Sequence, residues 1–172
     1  DGMKHITDPR KMRVSVEGFY GQPWTQAERL ELFGWMANWG LNTYLYAPKD
    51  DLKHRAAWRE PYSASEAAAM GQLVQACRSR HLRFIYALSP GMDIRYEDEA
   101  DLDSLAKRFA QMQALGCRDF ALLFDDLPDR QDTAEIRRWG SLAAAQCHVA
   151  NAMSKRTRES CAEARFLFCP TA

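Results

Sequence analysis

Two adjacent carboxylates, Asp125 and Asp126, directly follow the apolar run Phe120–Phe124 and are the residues of this sequence best suited to chemistry. Five uninterrupted apolar residues predict a strand that is covered on both faces, as in a parallel sheet. Neighbouring acids at a partly buried strand end repel each other, so one can stay ionised while the other keeps its proton. The pair could therefore supply an anion and a proton donor at neutral pH. An acidic turn that faces solvent is an equally good interpretation of composition alone.

The ends of the other predicted strands add further polar and aromatic side chains. The first strand leads into Glu17–Gly21, the second into Pro48–Asp51 and the third into Ser89–Asp93. In a (β/α)8 barrel, such strand ends converge on one rim. A rim of carboxylates, backbone groups and aromatic rings suits a carbohydrate, and Tyr20 and Trp24 are expected to reach such a site.

Several nearby residues also have a plainer interpretation. Lys49 could anchor a substrate hydroxyl, although a Lys-Asp-Asp sequence ordinarily forms a solvated face. Residues 53–55 (Lys-His-Arg) are predicted to lie on the surface, and Trp35 and Trp39 to be packing residues of the first helix. No metal site is expected, because the other histidines lack companions with ligand-like spacing.

Strands and helices alternate along the chain. The predicted strands are Val14–Phe19, Leu41–Ala47, Arg83–Leu88, Phe120–Phe124 and Arg165–Cys169. Helices are predicted to begin at capping residues Thr25, Ser63, Asp98 and Asp132, and the fourth runs on past Val149. This alternation predicts a parallel sheet with right-handed crossovers. An open doubly wound sheet and part of an eight-stranded barrel both fit, but Gly18–Gly21 lacks the spacing of a dinucleotide-binding loop.

The composition limits the class of protein. The 172 residues, 47% of them hydrophobic, suffice for one domain with a real core. Basic and acidic residues number 23 each, which argues against a nucleic acid partner. The five widely spaced cysteines predict reduced thiols rather than a disulfide framework. Without a signal segment or a membrane-spanning run, the expected location is cytoplasmic, away from the membrane.

Three segments together resemble the O-GlcNAcase catalytic domain of glycoside hydrolase family 84. They are VEGFYGQPW from Val16, NTYLYAPKDDLKHR from Asn42 and FALLFDD from Phe120, in this order and spacing. The resemblance runs from about Arg13 to Thr171 and implies an eight-stranded β/α barrel. Members of the family remove β-linked N-acetylglucosamine, notably from serine and threonine of proteins, with retention of configuration.

The resemblance also implies roles for individual residues. Asp125 would orient and polarise the acetamido group of the substrate, whose oxygen attacks the anomeric carbon to form an oxazoline. Asp126 would act as general acid and then as general base. Gly18, through its carbonyl, and Lys49 would hold sugar hydroxyls, and Tyr20 is expected in the same substrate-binding site. No metal or other cofactor is implied.

The family pattern continues further than this chain does. The family reads Cys-Pro-Thr-Glu-Tyr where this sequence has Cys169-Pro170-Thr171-Ala172, and only about five of the eight strands and four helices are present. We therefore expect residues 1–12 to be a lead and residues 13–172 to be the N-terminal part of an incomplete barrel with little or no activity alone. An inactive fragment or paralogue that binds N-acetylglucosamine is the alternative. The expected partner is an N-acetylglucosamine-modified protein or glycan, with a second copy or a complementing chain as a further possibility.

Overall fold

The five strands form a single parallel sheet in the order β1-β2-β3-β4-β5. The computed structural model describes residues 11–127 and 133–171. The strands are β1 (Val14–Glu17), β2 (Thr43–Tyr46), β3 (Arg83–Leu88), β4 (Asp119–Leu123) and β5 (Arg165–Cys169). Each strand lies beside its neighbour in sequence, as in a barrel, whereas a doubly wound sheet reverses its strand order part of the way through. The barrel prediction is therefore confirmed, and the doubly wound alternative is excluded.

Helices cover one face of this sheet. They are α1 (Gln26–Asn38), α2 (Ala64–Ser79), α3 (Glu99–Ala114), α4 (Ala134–Trp139) and α5 (Leu142–Ser160). The capping boxes predicted at Thr25 and Ser63 are both formed, and Asp98 caps α3. Within the described ranges, none of these helices has the length and hydropathy needed to cross a bilayer.

The fourth predicted helix is in fact two helices, so the chain has five described helices rather than four. Gly140 ends α4 in the left-handed region, at φ +78°, and Ser141 caps the start of α5. Glycine adopts this conformation without steric cost, and a serine N-cap favours a new helix start. The predicted loop residue Pro128, the predicted cap Asp132 and the side chain of Glu135 lie outside the described residues.

The two faces of the sheet carry side chains of very different size. Large aromatic residues pack between the sheet and the helices; they include Tyr44, Tyr86, Phe109 and Phe120. The opposite face buries a smaller cluster, formed by Ala47, Ile85, Ala87 and Ala121. Leu45, Leu123 and Leu167 pack against this cluster, so the face is aliphatic, as the interior of a β/α barrel is. This concave face is open, and Val16 of β1 is 53% exposed on it.

The prediction that Trp35 and Trp39 are packing residues is wrong. Their side chains are 47% and 69% exposed, and their rings lie 5.9 Å apart on the outer face of α1. The residues that α1 buries are instead Arg29, Phe33 and Met36, which follow helical spacing on the inner face.

Asp101 in α3 is expected to make the stability of the chain depend on acidic pH. Burial alone would raise its pKa, but hydrogen bonds from Arg59 (2.7 and 2.8 Å) and Arg95 hold the pKa well below its usual range. The ionised form therefore stabilises the fold above about pH 4, the value for an unfolded aspartate, and this stability is lost as the pH falls further.

Urea unfolding of the chain and of Asp101→Asn between pH 7 and pH 3 measures this effect. The variant should be less stable at pH 7, and its stability should change less with pH below about 4. Asp103→Asn, which removes an exposed carboxylate of the same helix, is the matched control. Parallel pH profiles for all three proteins would contradict the prediction.

Candidate active site

Gly18 is held against the start of the loop after β2. The backbone N–H of Lys49 donates to the carbonyl of Phe19 at 3.1 Å, so the pairing of β1 and β2 continues past both strands. Successive carbonyls of an extended chain point in opposite directions, and the Gly18 carbonyl therefore faces away from β2. A Cβ at this position would lie 3.1 Å from Cγ1 of Val16, so glycine avoids a tight contact and leaves the backbone accessible.

Lys49 is a buried ammonium rather than part of a solvated face. Its residue is 5% exposed, and its Nζ lies 2.5 Å from Oδ2 of Asp125 and 3.7 Å from Oδ2 of Asp126. A buried ammonium is costly unless carboxylates accept its hydrogen bonds. The lysine thus reaches from the end of β2 past β3 to the acid pair that follows β4.

The two carboxylates differ in exposure although they are adjacent in sequence and both lie near the Lys49 ammonium. Asp126 has φ +54°, a left-handed conformation that aspartate tolerates better than most residues. The side chain of Asp125 is 37% exposed and that of Asp126 is 53% exposed. Asp125 therefore makes the shorter contact with the buried lysine, whereas Asp126 lies farther from it, in the more open position that a proton donor to an incoming molecule needs.

Tyr20 reaches the acid pair from the first loop. Its hydroxyl donates to Oδ2 of Asp126 at 3.2 Å and accepts a hydrogen bond from Arg55 Nη1 at 2.9 Å. Arg55 Nη2 donates to the Asp126 carbonyl at 3.0 Å, and its guanidinium lies 5.5 Å from the centre of the Tyr20 ring. Arg55 therefore connects the loops that follow β1, β2 and β4. The prediction that residues 53–55 lie on the surface missed this connecting role. The available signal was its position, six residues after a rim lysine.

His54 is completely buried, so the prediction that residues 53–55 lie on the surface is wrong for this residue. Its Nδ1 lies 2.9 Å from the Ala87 carbonyl, and because a carbonyl only accepts, Nδ1 carries the hydrogen. Burial lowers the pKa of His54 to about 4 despite this hydrogen bond, so the ring is neutral near pH 7.

Glu17 and Trp24 lie near the rim, but their side chains contact residues packed between the sheet and the helices rather than the acid pair. The Glu17 carboxylate turns towards the helices, where Arg29 donates to both of its oxygens at 2.8 Å and the Tyr44 hydroxyl also donates. The Trp24 backbone N–H donates to the same carboxylate at 3.0 Å, and its ring packs on Phe19. Neither residue contributes its side chain to the acid pair.

The assembled rim therefore brings Lys49, Asp125, Asp126 and Tyr20 together, and Gly18 directly follows β1 at the same end of the sheet. Alternation along β4 sets Asp125 on the same face of the sheet as Ala121 and Leu123, which is the concave face. An anion fixed by a lysine and a second carboxylate in a more exposed position can divide a polarising role and a proton-transfer role between them.

Comparison with known proteins points to one family. Residues 13–172 match the model of a family described as beta-N-acetylglucosaminidase. The chain is 46% identical over 156 residues to the Protein O-GlcNAcase of Rattus norvegicus and to that of Mus musculus. These alignments cover 91% of this chain but 17% of each rodent protein.

A solved structure shares the fold. It is a mutant of the O-GlcNAc hydrolase from Thermobaculum terrenum, with a TM-score of 0.89 and 33% sequence identity. The superposition covers 94% of this chain and 35% of that chain. The segment thus corresponds to a minor part of each of these relatives.

Proposed function

This chain belongs to the β-N-acetylglucosaminidase family, and from that premise we propose that its rim hydrolyses β-linked N-acetylglucosamine by substrate-assisted catalysis with retention of configuration. The observation that carries the proposal is the contact of Lys49 with Asp125, with Asp126 exposed beside it. A sugar with an acetamido group next to its anomeric carbon contains its own nucleophile. The protein then needs one anion and one acid, rather than two carboxylates facing each other across the bond.

Asp125 is the anion in this mechanism. The Lys49 ammonium, 2.5 Å away, donates a hydrogen bond to it and fixes its orientation. The carboxylate accepts the acetamido N–H and so raises the electron density on the acetamido oxygen. That oxygen forms a bond to the anomeric carbon as the bond to the leaving oxygen breaks. The acetamido proton passes to Asp125, so the product is a neutral oxazoline, and the proton returns to nitrogen when the ring opens.

Asp126 is the proton donor and then the proton acceptor. It gives its proton to the leaving oxygen as the glycosidic bond breaks. In the second step it takes a proton from water, whose oxygen attacks the anomeric carbon and opens the oxazoline. Two displacements at the same carbon restore the original configuration, and the carboxyl group and the acetamido group return to their starting states.

The remaining residues hold the sugar. The Gly18 carbonyl accepts from a hydroxyl, Lys49 donates to another, and Tyr20 adds a ring and a hydroxyl beside Asp126. The rodent relatives are named Protein O-GlcNAcase, which supports the O-linked sugar on serine or threonine of proteins as the substrate. A glycan that ends in the same sugar offers the same groups to this rim.

A closed barrel needs strands beyond these five. β1 and β5 are the two edges of the described sheet, and the concave face between them is open. Unpaired edges and exposed apolar surface favour pairing with further strands. We therefore propose that residues 13–172 act as the N-terminal part of a barrel that other strands complete, and that the segment alone has little activity.

The experiment compares the 172-residue chain with a hybrid protein. In the hybrid, residues 13–171 of this chain replace the matching segment of the Rattus norvegicus Protein O-GlcNAcase. Hydrolysis of 4-nitrophenyl β-N-acetylglucosaminide is measured for both proteins. The hybrid should turn over, and the isolated chain should be weak or silent.

Each other outcome has a definite meaning. Robust turnover by the isolated chain would show that the barrel needs no further strands. A hybrid that folds but does not turn over would contradict the hydrolase. If that hybrid still bound N-acetylglucosamine and lost the binding in Asp125→Asn, the rim would be a sugar-binding site without hydrolysis.

A further inference from the structure

Three buried polar atoms in or near the ion pair of Lys49 and Asp125 lack hydrogen-bond partners among the described residues. These atoms are Nε2 of His54, Oγ of Ser89 and Oδ1 of Asp125. His54 and Ser89 are both completely buried. Folded proteins rarely leave buried polar atoms unsatisfied, so three of them near one ion pair call for a physical explanation.

Their hydrogen-bonding capacities are complementary. His54 uses its Nδ1 hydrogen on the Ala87 carbonyl, so its Nε2 can only accept. Oδ1 of Asp125 also only accepts when the carboxyl is ionised. The Ser89 hydroxyl can donate, and the Lys49 ammonium has three hydrogens but lies close to only two carboxylate oxygens. Two donors are thus available for two acceptors.

The fold brings these four groups to one place. β2 and β3 pair Leu45 with Ile85, and continuing this register past the strand ends sets Lys49 beside Ser89 on the concave face. β3 and β4 pair Ala87 with Ala121, which places Asp125 on the same face. The Ser89 backbone N–H donates to the His54 carbonyl at 2.9 Å and fastens the loop to the end of β3.

We propose that Ser89 and His54 are positioning residues for Asp125. The Ser89 hydroxyl donates to Oδ1 of Asp125, and Nε2 of His54 accepts an N–H of Lys49, each through one bridging water molecule, because these atoms make no direct hydrogen bond with each other. Together they hold the carboxylate in the orientation that receives the acetamido N–H. This inference rests on the proposed function, because the orientation matters only if Asp125 acts on the substrate.

The neutral state of His54 supports this arrangement. Burial lowers its pKa to about 4, and the nearby charges of Asp51, Lys49 and Asp125 have smaller effects of mixed sign. The ring therefore remains an acceptor between pH 5 and pH 8 and adds no charge that would compete with Lys49 for the carboxylate.

Ser89→Ala in the hybrid is the first test. Loss of the donor should lower kcat about 10- to 100-fold with little change in KM, because a small misplacement of a reacting group has effects of this size. In an Asp125→Asn background the same substitution should have no more than about a twofold effect. A merely structural serine predicts the opposite pattern, since removal of an unsatisfied hydroxyl leaves kcat unchanged and thermal stability equal or higher.

Two substitutions of His54 separate its two nitrogens. Asparagine keeps a donor to the Ala87 carbonyl but lacks the acceptor, whereas glutamine places an acceptor near the position of Nε2. His54→Gln should therefore retain more of kcat than His54→Asn. Equal losses in both variants, or a loss that persists in full in the Asp125→Asn background, would overturn the assignment of His54.

A measurement without turnover keeps this inference separate from the proposed function. The 15N resonance of His54 Nε2 in the 172-residue chain, assigned by its loss in His54→Gln, should shift when Lys49→Met removes the donor. An unchanged resonance would refute the contact with Lys49. If the parent hybrid failed to hydrolyse the substrate, the proposed hydrolase activity would be contradicted. The 15N resonance would still show whether His54 interacts with Lys49.

Discussion

Replacing Asp126 by asparagine in the hybrid is expected to lower kcat/KM for an alkyl β-N-acetylglucosaminide by about 10²- to 10⁴-fold. An alkoxide is a poor leaving group, so the reaction depends on a proton that asparagine cannot supply. The fold should survive, because asparagine tolerates the positive φ of this position as well as aspartate does. Thermal unfolding of parent and variant should therefore coincide.

The leaving group provides the control for this prediction. The 2,4-dinitrophenolate of a 2,4-dinitrophenyl glycoside is a stable anion and leaves without protonation. With this substrate, Asp126→Asn should therefore form the oxazoline nearly as fast as the parent hybrid does. Asp125→Asn should instead be slow with both substrates, because attack by the acetamido oxygen is needed in either case. If the two variants responded to the leaving group in the same way, the division of roles between the two carboxylates would be wrong.

Replacing Glu17 by alanine is expected to cost about 3–5 kcal/mol of stability, the usual consequence of leaving one partner of a buried ion pair alone. The Glu17 carboxylate is completely buried, and both of its oxygens accept from Arg29. The Tyr44 hydroxyl and the Trp24 backbone N–H donate to it as well. The unfolding temperature of the chain should fall by roughly 6–20 °C.

Two further variants show whether the uncompensated charge is the cause. Glu99→Ala removes an exposed partner of Arg156 and should cost less than about 1 kcal/mol. Adding Arg29→Met to Glu17→Ala removes the stranded guanidinium and should recover part of the loss. Urea unfolding measures all of these proteins. A Glu17→Ala chain as stable as the parent would contradict the account of the buried pair.

Elements with a clear period and clear end signals were predictable from the sequence. The α2 helix begins at its capping box and buries Met70, Leu73, Val74 and Cys77, as its spacing indicated. β3 and β5 have the predicted bounds, and the acid pair does follow a buried strand. These features depend on neighbours in sequence, and local composition is enough to reveal them.

The loop after β2 was not predictable in the same way. It lacks a helical or strand period, yet it buries Trp58 and His54 completely. The position of His54 depends on a carbonyl 33 residues further along the chain, and that of Arg55 depends on Tyr20 and Asp126. A charged, aperiodic segment suggests solvent exposure, because its partners come from other strands and cannot be read from the segment itself.

The sequential strand order has a consequence for how such a protein is made. Every group of the rim described above belongs to β1, β2, β3 or β4 or to the loops that follow them, and each strand pairs with the one before it. Synthesis proceeds from the N-terminus, and domains begin to fold as they leave the ribosome. In a longer polypeptide that carries this segment, the acid pair and its lysine can meet as soon as the loop after β4 has emerged. The later strands would then close around a rim in which the acid pair and the lysine already lie together.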